Sequence, residues 1–134
     1  MKRAPKPGVA FSRIVRVMRR LRRPGGCPWD RRQTHSTLLK YLLEETREVA
    51  RAVRRKDHAN LREELGDVLL QILFHADIAE EAGRFDITAV IRGLEDKLVR
   101  RHPHVFARGR RETLTPAEVK RRWDAIKAQE KARP

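Results

Sequence analysis

The chain has 134 residues, 40% of them apolar and 5% aromatic, with one cysteine and a formal net charge of +14. That length suits one compact domain, the lone Cys27 excludes an internal disulfide framework or a multi-cysteine zinc site, and no run approaches the roughly 20 apolar residues of a membrane span. Low-complexity and collagen-like chains are excluded, and a basic start that runs into Phe11-Ser12-Arg13 rather than an apolar signal core leads to the expectation of a cytoplasmic protein.

Residues 1–8, with Pro5, Pro7 and Gly8, read as a disordered basic leader, so the folded domain is expected over 9–131. Phe11, Ile14, Val15, Met18 and Leu21 recur at helical spacing and predict a helix over about 9–22, ended by Pro24-Gly25-Gly26. Residues 24–33 read as a loop in which Trp29 must pack on something, with Cys27 a small packing residue. Thr34 or Ser36 can cap a second helix running to about Lys56, with Leu38, Leu39, Leu42, Leu43, Val49, Ala50 and Val53 as its apolar face. A third helix starts near Asn60, carries Leu61, Leu65, Val68, Leu69, Ile72 and Leu73, and stops at Gly83. Its apolar arc is wide enough to need cover on more than one side, which points to a partner subunit. Asp86 can cap a fourth helix with Ile87, Val90, Ile91, Leu94 and Leu98 inward, ending before Pro103. Thr115-Pro116-Ala117-Glu118 has the form of a capping box opening a last helix whose inner face is Val119, Trp123 and Ile126. No alternating apolar pattern of useful length appears, so the fold class is all-α, an antiparallel bundle of about five helices.

Charge is unevenly spread. Residues 1–23 hold 9 basic and no acidic side chains and residues 97–134 hold 12 and 4, whereas residues 44–81 hold 10 acidic against 6 basic. The flanks suggest an anionic partner, and a basic helical nucleic-acid binder is the alternative they support. That alternative leaves the acidic centre unexplained. Glu45 with Glu48, and Glu64 with Asp67, lie three apart on successive helices, each beside the apolar stripe, so that an antiparallel pairing lets the four carboxylates converge. Such a group repels itself unless a cation neutralises it, and oxygen-only ligands suit Mg²⁺ or Mn²⁺. Single pairs of this kind are usually solvated acids facing arginines; two pairs on neighbouring helices, with Gly66 mid-helix as a sign of close backbone approach, favour a metal site. No histidine follows a glutamate by three residues, against a ferritin-like di-iron centre. His102 and His104 read as residues holding the exit of the fourth helix, and His75 as a packed structural residue.

Together, Gly26-Cys27-Pro28-Trp29-Asp30 with Gln33-Thr34, Leu43-Glu44-Glu45, Glu63-Glu64-Leu65-Gly66-Asp67, Gly83-Arg84-Phe85-Asp86, Arg100-Arg101-His102-Pro103-His104-Val105-Phe106 and Trp123 resemble the MazG family of nucleoside triphosphate pyrophosphohydrolases over roughly residues 10–130. The resemblance implies an all-α fold, a homodimer or larger homo-oligomer, Mg²⁺ dependence, and hydrolysis of a nucleoside triphosphate to the monophosphate and pyrophosphate. An inactive or regulatory relative is the remaining variant of that reading. The family's metal pattern falls on Glu45, Glu48, Glu64 and Asp67, with Glu44 and Glu63 adjacent as assistants. Glu45 and Glu48 are equal candidates to accept the proton of the attacking water. Lys97, Arg101, Trp123 and Lys127 match positions associated with the substrate's phosphates or with activity. Arg47 and Arg51 depart from the family, which commonly has an aromatic and an acid there. Of the two related units of long MazG proteins, the chain resembles the first.

Overall fold

The structure, a computed structural model, describes residue 3, residues 6–109 and residues 112–133. Among them are seven helices and no strand: α1 (Pro7–Arg22), α2 (Pro28–Arg32), α3 (His35–Arg54), α4 (His58–Glu81), α5 (Ile87–Arg101), α6 (Pro103–Phe106) and α7 (Pro116–Ala132). The all-α expectation holds. Two short helices were not foreseen, because four or five residues leave no apolar periodicity; Pro28 and Pro103 start them at the position where a missing N–H costs nothing. Pro7 does the same for α1, which begins inside the segment read as leader, while Met1, Lys2, Ala4 and Pro5 of that leader lie outside the described residues.

Caps fix the long helices. Thr34, not Ser36, caps α3: its hydroxyl accepts the Thr37 N–H at 3.2 Å while the Thr34 N–H donates to the Thr37 hydroxyl at 2.8 Å. Asp57 accepts the Asn60 N–H and starts α4 at His58, slightly earlier than the apolar pattern implies. Gly83, at φ +71°, ends α4, with the Gly83 and Arg84 N–H groups donating to the Glu80 and Ala79 carbonyls. The same closure ends α3, but there the left-handed position is Lys56 at φ 54°. Before α7, Thr115 accepts the Glu118 N–H as expected, but the Glu118 carboxylate takes the Thr115 hydroxyl.

The chain divides into two compact units, residues 1–87 and 88–134. In the first, α3 and α4 form a hairpin across the three-residue turn 55–57, and α1 lies on α4. Its core is Met18, Leu38, Leu73, Phe74, Ala76 and Ile87, joined by Phe11, Val15, Tyr41, Leu69 and Ile78. Trp29 finds its packing edge-on to Tyr41 and Phe74 while staying half exposed. Several side chains placed inward by periodicity are exposed, Leu39, Leu43, Val53, Leu65 and Ile72 among them, and in the second unit Val90, Ile91, Leu94 and Leu98. Periodicity finds an apolar arc but not how many neighbours cover it.

Arginines of the basic N-terminal flank are used internally. Arg22, buried, donates to Asp77 at 2.8 Å and through Nε to the Asp30 carbonyl at 3.1 Å; Arg23 reaches Asp77 at 2.9 Å and Glu81 at 2.7 Å, and Arg19 reaches Glu80 at 2.9 Å. Burial works against ionisation of Asp77, but hydrogen bonds from Arg23 and Arg22 outweigh it and hold the carboxyl below its ordinary range.

His35 and His75 stack in parallel with their Nδ1 atoms 2.7 Å apart, so one proton lies between them. His75 Nε2 is buried without a partner, an arrangement cheapest when His75 carries its proton on Nδ1 and leaves Nε2 a bare acceptor. Burial, then the charge of His35, pushes the His75 pKa below its ordinary 6.5. The unfolded chain then binds this proton more readily than the folded one, so the contribution to stability is present above about pH 6.5 and is lost as the pH falls below it. Thermal melts of the wild type are expected to drop between pH 7.5 and 5.5 more steeply than those of His75→Gln. Two backbone substitutions have opposite expected signs. A Cβ at Gly26 would overlap the Leu21 and Arg20 carbonyl oxygens, so Gly26→Ala is expected to cost more than about 2 kcal/mol, whereas Lys56→Gly relieves a left-handed residue and gains about 0.5–1 kcal/mol, both read by urea unfolding.

Candidate metal centre

The hairpin of α3 and α4 brings acids from both helices together. Carboxylate oxygens of Glu45, Glu64 and Asp67 all lie within 4.8 Å of one another. Spacing explains this: the paired acids sit on one side of each helix, and the short turn at 55–57 forces the helices antiparallel. Glu45 and Glu64 are half-buried and Asp67 is exposed. Burial, then the charges of Asp67 and Glu64 and a hydrogen bond to Glu64, raises the Glu45 pKa. Burial and the charge of Asp67 also raise Glu64, against that same hydrogen bond, which favours its ionised form.

Glu48 is not in this trio. Both its oxygens take Arg51 Nη1, at 3.0 and 3.3 Å, one turn along α3. It remains close enough for its charge to help raise Glu64. Arg51 thus spends its charge on the fourth acid, while among the described residues no lysine or arginine forms an ion pair with Glu45, Glu64 or Asp67.

The trio fits a small hard cation by its chemistry. All donors are carboxylate oxygens, and opposite ligands on a Mg²⁺-sized octahedron are about 4.2 Å apart, a small side-chain adjustment from the spacing here. The expected reason for Gly66 does not hold, since a Cβ there would meet nothing within 4 Å. Gly66 instead lines an apolar groove of about 240 Å³ with Ile14, Val17, Leu21, Leu69 and Leu70.

The basic candidates fall in the second unit. Lys97 and Lys127 are exposed. Arg101 is enclosed: it donates to Glu130 at 2.9 Å and its guanidinium carbon lies 5.3 Å from the centre of the Trp123 ring. His102 meets the same ring edge-on at 4.9 Å, and its Nδ1 donates to the Leu98 carbonyl at 2.6 Å, which holds the exit of α5. Glu130 was missed in the sequence; the signal available was an acid one turn after Lys127 near the end of a basic helix.

A sequence profile of the MazG nucleotide pyrophosphohydrolase domain matches residues 33–106. A Thermotoga maritima protein named nucleoside triphosphate pyrophosphohydrolase/pyrophosphatase MazG is 49% identical over 126 residues, covering 94% of this chain and 47% of its own length. The nucleoside triphosphate pyrophosphohydrolase of Escherichia coli K12 is 49% identical over 123 residues, covering 91% of this chain and 46% of its own. The chain therefore spans about half the length of these curated relatives. The crystal structure of a mazG-related protein from Thermotoga maritima superposes with a TM-score of 0.70 at 33% identity, over 87% of this chain and 98% of that one.

Crowded carboxylates with raised pKa values favour folding at low pH and oppose it as they ionise, and a divalent cation removes that opposition. Mg²⁺ at ten times its Kd is therefore expected to stabilise the protein by about 1.4 kcal/mol, roughly 3–6 °C in Tm, at pH 7.5. The shift should shrink toward pH 4.5, where protons compete for Glu45 and Glu64, and should be lost in Asp67→Asn; scanning fluorimetry with and without Mg²⁺ measures it.

Proposed function

The chain belongs to the MazG nucleotide pyrophosphohydrolase family, and from that premise we propose that it hydrolyses nucleoside triphosphates to the monophosphate and pyrophosphate, with Mg²⁺ or Mn²⁺ as cofactor. The observation that carries the reading is the convergence of Glu45, Glu64 and Asp67, with no ion pair to them among the described residues. Residues 9–131 form the proposed functional unit, acting in the cytoplasm on the nucleotide pool.

Glu45, Glu64 and Asp67 would hold the cation, with Glu48 at the margin. When bound, the cation supplies charge neutralisation on the phosphate oxygens and acidifies a coordinated water. Glu45 and Glu48 are the two candidates to accept that water's proton. Arg51 occupies both oxygens of Glu48, which favours Glu45. Lys97, Arg101 and Lys127 would supply positive charge for the β,γ portion as it leaves, and Trp123 keeps the Arg101 guanidinium in one plane.

A homodimer or larger assembly is part of the proposal. Exposed Leu39, Leu43, Val53, Leu65 and Ile72 leave apolar surface on α3 and α4 that a second copy would cover. The nucleic-acid reading is weakened by the commitment of Arg19, Arg22 and Arg23 to Glu80, Asp77 and Glu81. No helix among the described residues is long and apolar enough to cross a membrane.

A pyrophosphate-release assay over canonical and modified triphosphates, with and without Mg²⁺, tests the activity. Glu64→Gln and Asp67→Asn are expected to lower kcat/KM at least about 100-fold with the helical spectrum unchanged, and Glu48→Gln less, because it already serves Arg51. Lys97→Ala and Arg101→Ala should impair turnover, whereas neutralising Lys2, Arg3 and Lys6 should not. Full activity in Asp67→Asn at limiting Mg²⁺ would remove the metal assignment.

A further inference from the structure

In the second unit, one acid sits among cations where α5 meets α7. The two oxygens of Glu130 are taken separately, one by Arg100 Nε at 2.8 Å and the other by Arg101 Nη2 at 2.9 Å. Lys97 lies one turn before Arg101 and Lys127 one turn before Glu130, so Glu130, bonded to Arg100 and Arg101, has two further cations one turn away along the helices. Arg101 is the enclosed one, its side chain only 14% exposed and its guanidinium stacked on Trp123. Its Nε–H is buried with no hydrogen-bond partner, so Glu130 leaves this donor unsatisfied.

We propose that Glu130 is a resident stand-in for phosphate, holding Arg101 in place when no polyphosphate is bound and yielding it when one arrives. This rests on the reading above that Arg101 takes substrate phosphate. A carboxylate and a phosphate oxygen make similar charge-assisted bonds to a guanidinium, so the exchange is decided by charge and number of contacts. Glu130 brings one negative charge and two oxygens. A polyphosphate brings several charges and more oxygens than Glu130 can offer to the two arginines. The two arginines hold the Glu130 carboxyl down at about 2, so the competitor is ionised throughout the neutral range and its effect there does not depend on pH.

The device has a structural consequence. α7 is tied to α5 by side chains, Glu130 on Arg100 and Arg101, and Trp123 between Arg101 and His102. Displacing Glu130 releases the distal tie and leaves the Trp123 tie, so the end of α7 loosens while the ring still steadies Arg101. Binding of the anion is thereby coupled to release of the last turns of α7.

The test uses the full chain and inorganic tripolyphosphate, without nucleotide or metal, at fixed ionic strength in a calorimeter. Glu130→Gln is expected to bind it about 5–10-fold more tightly than wild type, and Arg101→Met about fivefold or more weakly. In the double variant the gain from Glu130→Gln should vanish, because the two residues act on one contact. With triphosphate substrates and Mg²⁺, Glu130→Gln should lower KM and leave kcat unchanged. In a Trp29→Phe background, Trp123 fluorescence should change on adding tripolyphosphate and saturate at the calorimetric Kd, an arm that stands even if Glu130→Gln does not fold. A folded Glu130→Gln with unchanged or weaker affinity would overturn the proposal, as would lower melting with no change in affinity, the mark of a merely structural ion pair. Normal tripolyphosphate responses without nucleotide turnover would count against the hydrolase reading alone.

Discussion

The first unit turns on the buried pair of Arg22 and Asp77. Both side chains are nearly fully enclosed, and removal of either would leave the other's buried charge only partly compensated, Asp77 by Arg23 or Arg22 by Glu81, a loss of up to about 3–5 kcal/mol. The pair also joins three elements, since Arg22 at the end of α1 holds Asp77 of α4 and the Asp30 carbonyl of α2 together. Arg23 and Glu81 enlarge it into a network that sets the register of α1 on α4. Fixing that register brings Met18 of α1 into the core against Leu73 and Phe74, so the ionic contact decides which apolar faces meet.

The same helix shows the opposite arrangement thirteen residues earlier, at Glu64. Asp77 has two arginines and its carboxyl is driven toward the ionised form; Glu64 has only acids and burial around it and is driven the other way. Both are carboxylates on α4, and what differs is what faces them. In a chain with 32 Lys and Arg, leaving Glu45, Glu64 and Asp67 without an ion pair is a local cost that the nearby arginines could have removed, as Arg51 does for Glu48. Stability alone gives no reason to keep that cost. A cation that arrives from solution and carries substrate with it does.

Much of this was legible in the sequence because it depends on local rules. Thr34, Thr115 and Gly83 end or begin helices by contacts within a few residues, and the five long helices follow from apolar spacing. The acid pairs were legible for the same reason, since i and i+3 share a helix face in any fold. What failed were inferences about neighbours. Nothing in Leu39, Leu43 or Leu65 says whether a second helix or a second chain covers them, and Gly66 gives no close approach to another backbone. The short α2 and α6 are set by a proline and a turn of backbone rather than by any repeat. Which arginine pairs with which acid across fifty or more residues is also invisible locally, although Arg19 and Arg22 on α1 with Arg23 just after it, and Asp77, Glu80 and Glu81 on α4, have matching spacings.

That cross-helix matching changes what the net charge means. A charge of +14 read from composition suggests a surface made for polyanions, yet the arginines on α1 nearest α4 are spent inside the fold. On the proposed reading, the cations left for an anionic substrate are those whose partners are few or weakly held. Lys97 and Lys127 are exposed, and Arg101 is ordered by an aromatic ring and lent to a single glutamate. An arginine ordered in advance loses little freedom when it takes a phosphate, and an ionised carboxylate already on it keeps it from being left bare and buried in the meantime. In the first unit Arg22 and Asp77 are both buried, and that pair, extended by Arg23 and Glu81, fixes a structure. The Arg101 and Glu130 side chains are 14% and 23% exposed, and an incoming anion that replaces the carboxylate keeps the guanidinium paired through the exchange.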